Sequence, residues 1–193
     1  MSLRKSVFSG SWYPSGQQAC EEQIQQFLQA GQNQSVAVAN PVGGIVPHAG
    51  WYFSGSIACN VIHQLARGTS PDVVVLFGMH LHQGSPRYIM PEGEWETPFG
   101  PLAVDTALAG ELTRQFSFQL ETPERFNQDN TIELQMPFIG YFFKNARVLA
   151  MGVPPTEETL ALAESVVATA ADMDLRIVVI GSTDLTHYGP NYG

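Results

Sequence analysis

The sequence predicts an α/β domain with a mostly parallel central sheet and helices on both faces. Apolar strand-like runs alternate with helical segments along the chain. The run DVVVLFG, residues 72–78, is continuously apolar, as strands buried on both faces of a parallel sheet are. The last part repeats strand, helix and strand in RVLAMGV, TEETLALAESVVATAA and LRIVVIG. We predict a single domain over residues 1–193.

The remaining elements follow from local patterns. A β-rich run at residues 42–47, VGGIVP, predicts an early strand. Apolar residues at helical spacing predict three helices, in CEEQIQQFLQA, SIACNVIHQLA and TALAGELTRQF. On the second of these helices we expect the inner face to carry four apolar residues: Ile57, Val61, Ile62 and Leu65.

The stretch NTIELQMPFIGYFF is predicted to be one helix. Asn130 suits the cap position and Glu133 the third helical position, which together would form a capping box. Pro137 should kink this helix, because proline removes a backbone donor and clashes with the preceding turn.

Composition excludes several classes of protein. The chain has 9 Lys and Arg against 18 Asp and Glu, a net charge of -9, which opposes nucleic-acid binding. Cys20 and Cys59 have no CxxC spacing and are expected to be buried thiols. The N-terminus lacks an apolar signal segment, and the apolar runs are too short to cross a bilayer. We therefore expect a cytoplasmic protein without a nucleic-acid or membrane partner.

Four of the five histidines follow an apolar strand run: His48, His80, His82 and His187. In open α/β sheets, ligands bind outside the carboxyl ends of the strands, so separate loops should bring these imidazoles to one edge. The last loop also carries Asp184. Imidazole with carboxylate suits Zn, Fe or Mn, and two His plus one carboxylate is typical of non-haem Fe(II) oxygenases. His63 lies inside a predicted helix and is expected to be a packing residue.

Each candidate also has an ordinary structural explanation. A single His after a strand is more often a hydrogen-bonded loop residue than a ligand. His80 and His82 lie two apart, so both face the site if the backbone is extended and only one does if it turns. Asp184 could cap a short helix, and a capping Asp could still ligate. No GxGxxG, P-loop or GxSxG motif occurs in a suitable context, which disfavours a nucleotide cofactor and a serine hydrolase.

Five stretches in a fixed order resemble one family: GSWYP (10–14), PHAGWYFSG (47–55), WETPFGPLAVD (95–105), DNTIELQMPF (129–138) and STDLTHYG (182–189). This family is the Memo-like family, also known as the B component of the AmmeMemoRadiSam system. It is structurally related to the class III, LigB-type extradiol dioxygenases. The resemblance runs through nearly the whole chain and implies a LigB-like fold.

The resemblance also implies roles for particular residues. His48 of PHAG matches a family metal ligand, and GMHLH places a second ligand at His82 or His80. Asp184 lies near the metal and His187 is the expected acid/base. The expected metal is Fe(II), with Cu or Zn as alternatives.

Two features depart from the family pattern. The family's EHSIE reads DNTIE here, so Asn130 stands where His is usual. Family members also continue past the SDLxHY motif into a part that carries a Cys facing the metal. Neither Cys20 nor Cys59 lies in a matching motif. We therefore expect the chain to lack that C-terminal part, and an apolar surface exposed by its absence would favour a homodimer.

Three functions remain open at this point. The first is a redox or oxygen-activating enzyme in which His48, His82 and Asp184 hold Fe(II) and His187 moves a proton. The second is a metal-dependent hydrolase with the same ligands, weakened by the lack of a clear carboxylate base. The third is a non-enzymatic scaffold that binds a peptide or protein beside a vestigial metal site. The substrate is not identified by the sequence.

Overall fold

A computed structural model describes residues 2–31 and 38–184 of the chain. The helices, in chain order, are α1 (Gln17–Gly31), α2 (Ser56–Gly68), α3 (Thr106–Gln115), α4 (Asn130–Glu133), α5 (Met136–Phe142) and α6 (Glu157–Asp172), and a π-helical turn spans Trp51–Gly55. The strands are β1 (Leu3–Arg4), β2 (Gly43–Val46), β3 (Val73–Gly78), β4 (Tyr88–Ile89), β5 (Glu94–Trp95), β6 (Leu102–Ala103), β7 (Gln119–Leu120), β8 (Arg147–Gly152) and β9 (Ile177–Ser182).

A six-stranded sheet with the order β2-β9-β3-β8-β4-β7 forms the centre of the fold. Every neighbouring pair is parallel except β4 with β8. The sequence prediction of a mostly parallel sheet is confirmed. The antiparallel β4 lies in the irregular excursion between β3 and α3, where no strand, helix and strand repeat fixes the direction.

Helices cover both faces of this sheet, as predicted, and each face has its own apolar core. On β3 the side chains alternate: Val74 and Leu76 belong to one core, Val73 and Val75 to the other. The first core also holds buried residues of α1 and α2, and the second holds those of α3 and α6. This alternation explains why DVVVLFG is apolar throughout, since both sides of the strand are buried.

Two helix predictions need correction. The segment predicted as one kinked helix is two helices, α4 and α5, and the break precedes Pro137, which occupies the first turn of α5. Proline is tolerated there because the first helical N–H groups have no partner within the helix. On α2, Ile62 and Leu65 are buried as expected, but Ile57 is exposed and Ala58 and Cys59 take the inner positions.

The N-terminal segment is attached to the domain at two points. β1 belongs to a small sheet of order β1-β5-β6, and the Arg4 guanidinium lies 3.9 Å from the ring centres of both Trp95 and Phe126. Arg4 Nη1 also donates to Glu121 Oε2 at 2.7 Å. These contacts fix the position from which residues 8–13 run towards the edge of the central sheet.

Both cysteines are buried free thiols, as expected. Burial raises the pKa of the Cys20 thiol and of the Cys59 thiol to about 12. No helix in the described part of the chain is both long enough and apolar enough to cross a bilayer.

Candidate functional site

Three adjacent parallel strands deliver the candidate residues to one edge of the sheet. β2, β9 and β3 are neighbours, and His48, Asp184 and His80 each lie two residues beyond the strand that precedes them. Equal offsets on parallel strands place the side chains at the same level. The positions of His48, His80 and Asp184 agree with the prediction that separate loops bring such residues to one edge of the sheet.

His48 is buried and held at both ring nitrogens. Its Nδ1 lies 3.2 Å from Ser182 Oγ, and Ser182 donates its hydroxyl proton to the Thr131 carbonyl at 2.7 Å. Because the hydroxyl has one proton, it must accept from His48, and Nδ1 carries the hydrogen. The other nitrogen, Nε2, faces Asp184 Oδ2 at 3.4 Å. A neutral ring would carry its lone pair at Nε2, on the side of the carboxylate, and a protonated ring would donate from Nε2 to that carboxylate.

His80 lies beside His48 after a turn in the backbone. Met79 has a positive φ of 73°, so the chain is not extended between β3 and His80. The two imidazoles meet edge to face with centres 4.8 Å apart. Asp129 Oδ2 lies 3.3 Å from both the backbone nitrogen and Nδ1 of His80. A buried carboxylate at Nδ1 fixes the ring orientation and places the proton on that nitrogen.

His63 and His82 are the other histidines in the described part of the chain. His82 is exposed and its backbone N–H donates to Ser85, yet it lines a pocket that His48, His80 and Asp184 also line. His187, the expected acid/base, lies outside the described residues. His63 lies on α2 and packs against Phe142 of α5. Burial, and after it the charge of Arg67, lowers the pKa of His63.

The short helix α4 holds the three loops together. Asp129, and not Asn130, caps it by accepting from Thr131 and Ile132 N–H. Thr131 Oγ1 accepts from Met79 N at 2.6 Å, and its carbonyl accepts from Ser182. Asn130 Nδ2 donates to the His48 carbonyl at 2.9 Å. One segment thus contacts the loops after β2 and β3 and the last residue of β9.

The predicted capping box at Glu133 is wrong. Its carboxylate is buried and accepts from the backbone N–H groups of Val7 and Phe8 at 2.7 to 3.0 Å and from the Tyr13 hydroxyl at 3.2 Å. Burial, with the Glu133 charge as the next cause, raises the pKa of Tyr13. Glu133 therefore anchors the N-terminal segment. The capping-box prediction is wrong because the true cap, Asp129, lies one residue earlier than the pattern suggested.

The donor set suits a cation only in part. Two ligands bound to one ion at about 2.0 to 2.2 Å stand about 3.0 to 3.5 Å apart at tetrahedral or octahedral angles, and the pair His48 Nε2 and Asp184 Oδ2 falls in that range. However, within residues 2–31 and 38–184 no group of three or more His, Cys, Asp or Glu side chains is arranged to hold a metal ion. The described residues supply a pair of donors with His80 adjacent.

Two pockets adjoin this centre and share His48, His80 and Asp184. One has a volume of about 670 Å³ and is lined by residues of the loops after β3 and β8 and by residues around the end of β9. The other has a volume of about 460 Å³ and is lined by Trp12, Tyr52 and Phe53. Both volumes fall within the range of small-molecule sites.

Comparison with known proteins gives a family for this arrangement. The profile described as Memo-like protein matches residues 4–193. The chain belongs to the Memo-like family. This confirms the resemblance that the five motifs carry.

Individual relatives are named MEMO1 family proteins. The chain is 31% identical to a MEMO1 family protein of Pyrococcus furiosus over 99% of its own length and 67% of the relative. A MEMO1 family protein of Pyrobaculum aerophilum is 32% identical over 99% of this chain and 71% of the relative. One from Caldivirga maquilingensis is 34% identical over 76% and 53%. The chain thus spans about two thirds of the length of the first two relatives.

Sequence reasoning missed the residues that orient the histidines. Ser182, Thr131 and Asp129 are capping types that occur in many loops, and only the meeting of β3, β9 and α4 gives them a role. The signal available was their place inside the DNTIE and STDLTHY motifs. The exposed aromatic residues of the smaller pocket lie in the GSWYP and PHAGWYFSG motifs, but the motifs alone predict no role for them.

Proposed function

We propose that this Memo-like protein binds a single divalent metal, Fe(II) foremost, at the carboxyl ends of β2, β3 and β9 and uses it in oxidative chemistry on a small molecule. His48 and Asp184 would be ligands, with His80 or His82 as the further histidine. Cu and Zn remain alternatives, because the same donors accept several metals.

The observation that carries this proposal is the orientation of His48. A metal-binding histidine donates one ring N–H to a neighbouring group and binds the ion through the other nitrogen. Ser182 and the Thr131 carbonyl fix this tautomer, and the remaining nitrogen faces the Asp184 carboxylate at 3.4 Å. In the neutral ring, this nitrogen and the Asp184 carboxylate would both be able to bind one cation.

When bound, the metal would orient substrate oxygens and pass electron density to dioxygen, the expected co-substrate. The residues of this chain would do the rest. Asp129 orients the His80 ring and Asn130 holds the His48 backbone, and the two pockets would admit substrate. His187 is the residue we assign to proton transfer, which agrees with its position three residues beyond Asp184.

The alternative is a non-enzymatic scaffold that binds a peptide or protein. Asn130 favours it, because the amide occupies the place of a family histidine and donates to the His48 carbonyl, where it cannot transfer a proton. Metal bound in stoichiometric amount without oxygen consumption would support this second function. The hydrolase hypothesis has no such observation in its favour.

The test is metal content by mass spectrometry on protein purified with iron, copper and zinc offered in turn. We expect one equivalent of metal in the wild type and loss in His48→Ala and Asp184→Ala. Comparison of His80→Ala with His82→Ala identifies the further histidine. Thr183→Ala, an exposed neighbour of Asp184, is the matched control and should retain its metal.

Oxygen uptake with catechol then separates the two functions, since only the enzymatic one consumes dioxygen. No metal above background in the wild type would overturn both the metal site and the oxidative function.

A further inference from the structure

Three aromatic side chains at the smaller pocket are unusually exposed. Tyr52 is 87% exposed, Phe53 80% and Trp12 40%. All three line the 460 Å³ pocket that ends at His48, His80 and Asp184. Large apolar side chains grouped around a concave site indicate that something binds there, whereas scattered ones need no explanation.

These rings are carried by a rigid part of the fold. Tyr52 and Phe53 belong to the π-helical turn, whose Trp51 stacks on Phe138 with ring centres 4.1 Å apart and planes inclined by 8°. Trp51 N donates to the Trp12 carbonyl at 2.9 Å, which ties the two aromatic segments together. π-Helical turns occur frequently at functional sites. The backbone that carries the exposed rings is thus positioned before any ligand arrives, which lowers the entropy lost on binding.

The charge of the pocket is one-sided. None of its described lining residues is Lys or Arg, and the one charged carboxylate among them belongs to Asp184. Arg87, the basic residue nearest along the chain to His80, forms an ion pair with Glu158 elsewhere. The whole chain carries a net charge of -9. In the metal-free protein, an anionic ligand would therefore lose water here without gaining a cationic side chain as its partner.

We propose that this pocket, in the metal-free protein, binds a planar aromatic ligand that is neutral or cationic and rejects aromatic anions. Trp12, Tyr52 and Phe53 contribute ring faces, which attract cations through their quadrupoles as well as packing against planar rings. Asn130 and the His48 and His80 rings provide polar groups at the inner end. This inference names the ligand class for the site of the proposed function and rests on it only for location.

The experiment compares three probes that share a phenol ring and differ in charge: 4-methylphenol, tyramine and 4-hydroxyphenylacetate. None has adjacent hydroxyls to chelate metal. Binding is measured by equilibrium dialysis and ligand-observed NMR at pH 7.5 in EDTA, where the amine is cationic and the carboxylate anionic. We expect 4-methylphenol and tyramine to bind within about fivefold of each other, and the anion at least about tenfold more weakly.

Substitutions at Phe53 test the structural cause. Phe53→Leu keeps apolar volume without the ring and should weaken binding of both favoured probes by about threefold or more. Phe53→Lys supplies a cation and should shift the ratio of anion to amine affinity by at least about tenfold. Leu160→Ala, an exposed apolar site on α6, is the control and should change nothing.

Equal or tighter binding of the anion, unchanged affinities in Phe53→Leu, or absence of binding of all three probes would each overturn the inference. Failure of the metal site is distinguishable, because the dialysis needs no metal. A charge-selective pocket in a protein that takes up no metal leaves this inference standing while the proposed function fails. A stoichiometric metal site beside a pocket without selectivity gives the reverse result.

Discussion

Replacement of Ser182 by Ala should weaken both the fold and the metal site. The hydroxyl accepts from His48 Nδ1 and donates to the Thr131 carbonyl at 2.7 Å, so the substitution removes two buried hydrogen bonds. Each contributes about 1 kcal/mol to the free energy of unfolding, and the carbonyl left in an apolar setting adds to the cost. We expect a loss of about 2 kcal/mol. Removal of the group that orients a metal-binding His typically lowers metal affinity by about 10- to 100-fold. We expect Ser182→Ala to lower the metal affinity by about that factor.

Two assays on the same protein measure these effects. Urea unfolding followed by circular dichroism gives the stability, and competition with a chromophoric chelator gives the metal affinity. Thr183→Ala, at the exposed adjacent position, should stay within about 0.5 kcal/mol and keep its affinity. If Ser182→Ala loses stability but binds metal as tightly as the wild type, the serine is structural only and the tautomer argument is refuted.

Three further predictions follow from separate contacts. Asp129→Asn should weaken metal binding by about tenfold or more, because an amide orients the His80 ring less well than a carboxylate. The asparagine should still cap α4. Unchanged metal affinity would mean that His80 is not a ligand. Cys20 and Cys59, buried with pKa values of about 12, should react with Ellman's reagent at pH 8 only after unfolding, and rapid labelling of the native protein would contradict their burial. Asp72 accepts a hydrogen bond from Arg176, which lowers the pKa of Asp72 from 3.8 to about 2. Its stabilising effect is therefore present above pH about 4 and is lost as the pH falls towards 2. In urea unfolding, the stability difference between the wild type and Asp72→Asn should close over that range, and a difference independent of pH would be inconsistent with this ion pair.

Much of the fold could be predicted because its elements have strong local patterns. β3 has an uninterrupted apolar run that only a doubly covered strand requires, and α6 has helical periodicity over its full length. Alternation of these elements leaves a parallel sheet as the simplest arrangement. The strand positions then determined where His48, His80 and Asp184 would converge.

What could not be predicted depends on contacts between distant segments. Asp129 and Asn130 both suit a helix cap, and the choice is made by His80, Thr131 and the His48 carbonyl, which come from other loops. The exposure of Ile57 likewise depends on how α2 lies against β2, which its own periodicity does not specify.

The choice between His80 and His82 illustrates the same limit within the site. Their spacing allowed either, and the positive φ of Met79 brings the His80 ring to the His48 ring while His82 lines the neighbouring pocket. A non-glycine residue in the left-handed region is not visible in sequence. Which of His80 and His82 binds the metal stays a prediction, and the metal content of His80→Ala and His82→Ala tests it.

The most direct test of the central claim is a crystal structure of the iron-loaded protein with anomalous data collected on both sides of the iron edge. We predict one strong anomalous peak at the carboxyl ends of β2 and β9, within about 2.0 to 2.3 Å of His48 Nε2 and an Asp184 carboxylate oxygen. A peak at another site, or no peak at this one in crystals shown to contain iron, would contradict the account.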